Sequence, residues 1–376
     1  MLYLDHAATT PVRPEVLEAM RPYLAEEFGN PSSHHVVGER AAAALDEARE
    51  RVAAVLGMRR GDVVFTAGGT EANNLAVKGI SLAAFESRGA RHVVTTPIEH
   101  ESVLASATYL SRFHGFDVTL LPVDGTGRVD PSDLAQAIRD DTAIVSVGLA
   151  NNEIGTVQDA PALSAVARRR RVPFHLDAVQ AAGWLPLRAT GADALSLAGH
   201  KVGAPKGTGA LAVRGRIPLE PLLHGGGQQR GRRSGTEPVA DAVALAVALE
   251  LAEDERTRHA GRVSAVRDRF IARVLALVPS ARLTGHPVER LPGTASFTFA
   301  GTSGEAVLLE LERRGIVSSS GSACAAGSDD PSHVLLALGI RPEVAQTSVR
   351  FTLPHAHEGD LDAVADAVAA AVAAVG

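Results

Sequence analysis

Apolar positions along this chain switch repeatedly between two spacings. Short, nearly continuous apolar runs fit strands buried on both faces, and between them apolar residues recur at helical spacing. The strand-like runs are Asp62–Thr66, His92–Thr96, Asp117–Pro122, Ala143–Leu149, Val172–Asp177 and Ala192–Leu197. Helical patterns cover Pro14–Glu27, with proline at its start, Gly38–Leu56, a stretch from Ala72, one opening at Ile98–Val103, Pro131–Asp140 and Ala160–Arg170. This alternation predicts an α/β fold with a mostly parallel sheet covered by helices. In such sheets ligands bind at the carboxyl ends of the strands.

Past Glu237 the pattern changes. Glu237–Leu277 reads as one long helix, a natural bridge between domains. Beyond it come a strand at Gly293–Phe299, a helix at Gly304–Arg314, a helix at Pro331–Leu338, a strand at Ser348–Thr352 and a helix at Glu358–Val375. Leu2–Asp5 is a short strand-like opening before a Thr-Thr-Pro turn. The expected division is a large domain over 15–255 and a smaller α+β domain made of 1–14 and 256–376. At 376 residues the chain is long enough for both. No internal repeat or low-complexity tract interrupts it.

Composition narrows the class. With 45% hydrophobic and 21% charged residues and a formal charge of −6, the chain gives no electrostatic reason to expect direct nucleic-acid or anionic-membrane binding. Arg168–Arg171 closes a helix, where cations suit the dipole, and is read as a solvated face; Arg230–Arg233 is read with the same caution. The opening Met1–His6 places a carboxylate where a secretory leader would be basic. The longest apolar run, Ala367–Val375, is too short to span a bilayer, so a cytoplasmic location is expected. The single cysteine, Cys324, excludes an intrachain disulfide and an all-cysteine metal site. A lone cysteine is commonly an inert small residue. This one, within Val317–Pro331, sits among small, polar and glycine-rich neighbours, which predicts an exposed mobile loop and a use for its thiol.

Chemistry gathers at the predicted strand ends. Lys201 lies between a strand-like run and a Gly/Pro-rich turn, the placement that Schiff-base chemistry with an aldehyde cofactor needs; a surface lysine in a hairpin turn is the alternative. Ala67–Glu71 joins a strand to a helix through glycines, a candidate anion site with Thr70 adding a hydroxyl, or an ordinary turn. It is neither a nucleoside-triphosphate loop nor a dinucleotide fingerprint. Asn151, Asn152, Asp177, Gln180 and His100 arrive at the same edge from other segments. If the cofactor is pyridoxal phosphate, Asp177 would hold the pyridinium nitrogen, Gln180 the ring hydroxyl, Thr70 and the helix amides the phosphate, and His100 would stack on the ring. Singly, Asp177 reads equally as a helix N-cap and His100 as a solvent histidine. Their clustering is what points to a site.

Ordered motifs along nearly the whole length then carry a resemblance. Tyr3–Pro11, Gly29–Ser33, Gly69–Asn74, Glu99-His100, Asn151–Gly155 and Asp177–Gln180 are followed by His200-Lys201, Gly225–Gly227, Arg233–Glu237, Ser320–Cys324, Pro331–Leu335 and Ser348–Phe351. In order and spacing, the chain resembles a cysteine desulfurase of the class V aminotransferase superfamily, with fold type I and pyridoxal 5′-phosphate as cofactor. The cysteine segment resembles the long-loop Ser-Gly-Ser-Ala-Cys subgroup.

The resemblance implies that Lys201 carries the cofactor, His100 stacks on it and helps move protons, and Asp177 and Gln180 hold the ring. It implies that Gly69, Thr70 and His200 serve the phosphate, joined by Thr236 from the neighbouring subunit of a homodimer. Asn152 borders cofactor and substrate, and Asn152 and Arg350 would hold the carboxylate of L-cysteine, Arg350 by a planar fork. Cys324, in a loop over about 318–331, would take the sulfur as a persulfide and deliver it to an iron–sulfur scaffold or a thiolation protein such as one modifying tRNA. No intrinsic metal is implied, although Cys324 could transiently ligate iron in a scaffold complex. Two positions depart from the family pattern. Ala198 stands where a Ser or Thr would donate to the phosphate, a loss of about 1 kcal/mol. Gln229 stands where an acid is frequent. Selenocysteine lyase, another class V chemistry such as an aminotransferase, and a non-catalytic assembly protein are the other readings. Cys324 argues against the aminotransferase, and retention of Lys201 and Cys324 argues against the assembly protein.

Overall fold

The computed structural model describes residues 1–321 and 330–376. The chain opens with β1 (Leu2–Tyr3), α1 (Pro14–Ala25) and α2 (Val36–Leu56). Helix α2 begins two residues before the expected Gly38, because the Nδ1 of His35 accepts the Gly38 N–H at 3.2 Å and caps it. There follow β2 (Val63–Thr66), α3 (Gly69–Asn74), α4 (Ile80–Arg88), β3 (His92–Thr95), α5 (Glu101–His114) and β4 (Asp117–Leu120). Next come α6 (Pro131–Ala137), β5 (Thr142–Gly148), α7 (Ala160–Arg169), β6 (Phe174–Asp177), β7 (Ala194–Ala198) and β8 (Gly209–Val213).

These strands form a seven-stranded sheet in the order β2-β8-β7-β6-β5-β3-β4. Only β8 runs against the rest, pairing antiparallel with both β2 and β7. Strand residues alternate between two cores, as a period of two requires. Val63, Phe65, Val145, Val147, Leu195 and Leu197 face a core shared with α2, α7 and the first half of α8 (Val239–Leu277). Val64, Ile144, Ala194, Leu211 and Val213 face the other, against α3, α4 and α5. Both faces are therefore dry, which is why these strands read as continuous apolar runs.

Helix α8 continues into a separate core. Its Val263, Val266, Phe270 and Val274 pack on an antiparallel sheet of β9 (Ala281–Leu283), β10 (Thr294–Phe299) and the later β12, in the order β12-β10-β9. The chain passes through α9 (Gly304–Arg313), β11 (Ile316–Val317), α10 (His333–Ala337) and α11 (Pro342–Ala345) to β12 (Ser348–Thr352) and α12 (Asp362–Val375). Phe270, Phe297 and Phe351 meet edge-on here, with centroids 5.3–6.3 Å apart.

Three local expectations need correction. The helix expected from Ala72 starts at Gly69, and Gly69 is there because a Cβ would lie 2.8 Å from Val179 Cγ2 and 3.2 Å from the Ala198 Cβ. No helix follows Asp177: residues 178–185 form turns. The segment from Val317 does not begin as an exposed loop. Val317 pairs with Tyr3, Ser319 exchanges backbone hydrogen bonds with Arg350, and Gly321 is buried. Ser319 and the Ser320 carbonyl, which looked like loop, instead satisfy the edge of β12. Cys324 lies outside the described residues.

Candidate active site

The carboxyl ends of β3, β5, β6 and β7 open onto one cavity of about 620 Å³. Gly69, Thr70, His100, Asn152, Asp177, Gln180, His200, Lys201 and Arg350 all line it. Thr236 does not. It is exposed, at the end of a glycine-rich loop that Gln229 pins by accepting the Phe65 N–H at 3.1 Å and Arg49 Nη2 at 3.3 Å. The Gln229 backbone N–H donates to the Glu237 carboxylate at 3.3 Å, and its Nε2, a donor an acid would lack, does so at 3.4 Å.

Lys201 ends a single tight turn, Gly199–Lys201, directly after β7. Its Nζ donates to the carbonyls of Ala7 and Ala8 at 2.5 and 2.9 Å. Gln180 Nε2 donates to the same Ala7 carbonyl at 2.9 Å. His200 Nδ1 meets Thr9 Oγ1 at 3.1 Å. The N-terminal segment is thus woven under the lysine, an arrangement no local pattern announced. Burial, with Lys201 and Lys206 nearby, pushes His200 down to about 4, so its ring is neutral at pH 7. Ala198, 3% exposed, packs against Gly69 and brings no hydroxyl to this end of the cavity.

Asp177, last residue of β6, is 8% exposed, and both its oxygens accept hydrogen bonds. Oδ1 takes the Val179 N–H at 2.9 Å, and Oδ2 takes Asn73 Nδ2 at 2.6 Å. The N-cap alternative is therefore half right, since Asp177 caps a turn while its second oxygen joins a network. Asn73 Nδ2 also donates to Ser102 Oγ at 2.9 Å, and Ser102 Oγ lies 2.8 Å from His100 Nδ1. The Ser102 N–H donates to that same Nδ1 at 3.1 Å, which caps α5. With Nδ1 accepting from the backbone, the neutral ring carries its proton on Nε2. Asn73 and Ser102 were missed as site residues. The one available signal was that Asn73 falls one helical turn after Gly69 on the cavity-facing start of α3.

Two further buried acids line the cavity. Glu99 accepts from Thr96 Oγ1 at 2.6 Å, and burial, aided by the Asp177 charge, pushes it up to about 7. Glu153, on the turn after β5, accepts from Ser332 Oγ at 2.5 Å and is also raised by burial. On β12, Arg350 is 1% exposed. Its Nη1 donates to the Asn152 carbonyl at 2.7 Å and the Gly321 carbonyl at 3.1 Å.

The Lys201 amine, the fixed Asp177 carboxylate and the neutral His200 ring thus meet where parallel strands end, the edge at which such sheets bind ligands. The chain belongs to the class V aminotransferase family, which it matches over residues 2–363. It is 46% identical over 380 residues to an "IscS-like cysteine desulfurase" of Mycobacterium tuberculosis, covering 99% of this chain and 96% of that protein. To the "Cysteine desulfurase IscS" of Dictyoglomus turgidum it is 44% identical over 354 residues, covering 94% and 89%. Among solved structures, a "NifS-like protein" superposes with a TM-score of 0.91 at 34% identity, covering all of both chains. The fold is accordingly fold type I, and the family depends on pyridoxal 5′-phosphate. The donor set fits that group: Asp177 suits a pyridinium, neutral His200 and Thr70 suit a phosphate, and Asn73 Oδ1 beside them is buried with no partner among the described residues.

Proposed function

We propose that this chain is a pyridoxal-phosphate-dependent cysteine desulfurase that passes the sulfur of L-cysteine to Cys324. The observation that carries the reading is the convergence of Lys201, Asp177, His100 and Arg350 on one cavity. The names of the relatives support it independently. Pyridoxal phosphate, when bound, supplies an aldehyde that condenses with amines and a protonated ring that withdraws electrons from the substrate.

The chain's residues then take defined roles. Lys201 carries the cofactor, and Asp177, already held by Asn73 and Val179, keeps the ring nitrogen protonated. Gln180 approaches the ring hydroxyl. His200, Thr70 and the amides of Gly69 and its neighbours hold the phosphate, with Thr236 contributed across a homodimer. His100 stacks on the ring, and its Nε2 holds or moves a proton. Asn152 and Arg350 take the substrate carboxylate. The Cys324 thiolate accepts the substrate sulfur: the C–S bond of L-cysteine breaks, an S–S bond forms on Cys324, and a proton delivered to the former Cβ gives alanine. A sulfur-acceptor protein, an iron–sulfur scaffold or a thiolation protein, then takes the persulfide. Work in the cytoplasm belongs to the same proposal.

The test compares wild type with Cys324→Ala and Lys201→Ala for alanine and sulfide released from L-cysteine under reductant. Wild type should turn over. Cys324→Ala should keep the visible band of bound cofactor but release at least about 100-fold less sulfur, and Lys201→Ala should lose the band. Wild-type sulfur release from Cys324→Ala would remove the persulfide step.

A further inference from the structure

Asp5 has no role in the site as described so far, yet it makes the only side-chain ion pair to Arg350 among the described residues. Its Oδ1 lies 2.6 Å from Arg350 Nη2, and the two side chains are 16% and 1% exposed. The backbone around Asp5 fixes that contact. The Thr352 N–H donates to the Leu4 carbonyl at 2.7 Å, and the Ala7 N–H donates to Thr352 Oγ1 at 2.9 Å. The N-terminal segment is thus clamped to β12 two residues beyond Arg350.

On its other side, the guanidinium is held by the carbonyls of Asn152 and Gly321 through Nη1. Arg350 Nε is buried and has no partner among the described residues. Three segments distant in sequence therefore fix the plane of the guanidinium. A buried guanidinium with only neutral acceptors would be strongly unfavourable, and Asp5 compensates it. Asp5 does this through one oxygen on Nη2, and Arg350 itself stands in the cavity wall.

We propose that Asp5 is a positioning residue for amino-acid recognition: it neutralises Arg350 within the fold and holds the guanidinium in the cavity wall, where it receives the substrate carboxylate. The inference rests on the reading of Arg350 as the carboxylate anchor. An anion that merely competed with substrate would have the opposite effect, because its removal would tighten carboxylate binding.

The experiment titrates the cofactor-loaded enzyme with L-alanine and with ethylamine, the same amine skeleton lacking the carboxylate, following the absorbance of the bound cofactor. Asp5→Ala should weaken L-alanine by about tenfold or more and ethylamine by less than about twofold. Asp5→Asn, whose amide oxygen can still accept from Nη2, should fall between. A general disturbance of the segment beneath Lys201 would weaken both amines alike, and that result overturns the inference. So does an unchanged or tighter L-alanine complex. If Asp5→Ala does not fold, the same ratio measured on Asp5→Asn decides. Arg350→Lys separates the two readings. If it leaves the L-alanine to ethylamine ratio unchanged, the anchor reading falls and takes the Asp5 inference with it. If it shifts the ratio and the Asp5 variants do not, the Asp5 inference alone falls.

Discussion

Asn73 connects the two sides of the candidate chemistry. Its single Nδ2 reaches Asp177 Oδ2 at 2.6 Å and Ser102 Oγ at 2.9 Å, and Ser102 in turn holds His100 Nδ1. One amide therefore ties the orientation of Asp177 to the serine that holds the His100 ring. Removing it leaves a buried carboxylate oxygen without its donor, a loss of about 1–3 kcal/mol. Asn73→Ala should lower kcat by about tenfold or more, with KM for L-cysteine changed less, because the substrate carboxylate is anchored elsewhere. Steady-state kinetics on cofactor-saturated enzyme check this; a KM effect with normal kcat would place Asn73 outside the proton-handling network. Asp177 was legible in the sequence as a polar residue ending an apolar strand, and His100 as one opening a helix just past another. Asn73 was not, because an asparagine inside a helical stretch gives no sign of which way it faces until that helix is packed.

At the scale of elements, Ser332 does two jobs at the return from the cysteine segment. Its Oγ accepts the Leu335 N–H at 3.2 Å, capping α10, and donates to Glu153 Oε2. His333 Nε2 meets the Glu99 carbonyl at 3.1 Å, so the start of α10 is tied to the turns after both β3 and β5. The helix expected over Pro331–Leu338 is the shorter His333–Ala337 because this cap sets its first residue. Ser332→Ala removes a cap and strands a buried acid, which together should cost about 2 kcal/mol. Thermal melting should show this as a fall of a few degrees, and Ser332→Thr should restore most of it. An unchanged melting temperature in Ser332→Ala would mean that α10 does not depend on this contact.

For the whole molecule, buried histidines set the response to acid. His175 bridges β5 and β7 through Ser146 and Ser196, each at 2.8 Å, and burial pushes it down to about 3. His355 and His200 are each pushed down to about 4, chiefly by burial. Such histidines stay neutral when folded but take up protons when unfolded, so the stability they confer is full above about 6.5 and is lost as pH falls toward 4. Glu99, raised to about 7, acts oppositely: its contribution is full below about 4.5 and is lost as pH rises through 7. Burial also lowers His6, His92 and His357, so the lowered histidines outnumber the raised acids Glu99, Glu153 and Asp241, which predicts a melting temperature that falls from pH 7 to pH 5. Glu99→Gln, which removes one opposing group, should steepen that fall. A melting temperature that rises on acidification would show that the acids dominate.

The sequence by itself determined the alternating architecture, because strands dry on both faces must be apolar throughout and the intervening helices must carry a stripe. It also determined which polar residues end those strands, since a ligand edge is where apolar runs stop. Order and spacing of motifs then carried the cofactor and the reaction class. Only the tertiary structure decided how the N-terminal segment serves the site. Asp5, the Ala7 and Ala8 carbonyls and Thr9 reach Arg350, Lys201 and His200 across about 190 to 345 residues of chain. Backbone carbonyls are the same in every residue, so no side-chain pattern could mark Ala7 and Ala8 as partners of a lysine. Their role comes from where the fold brings them, and packing decides that.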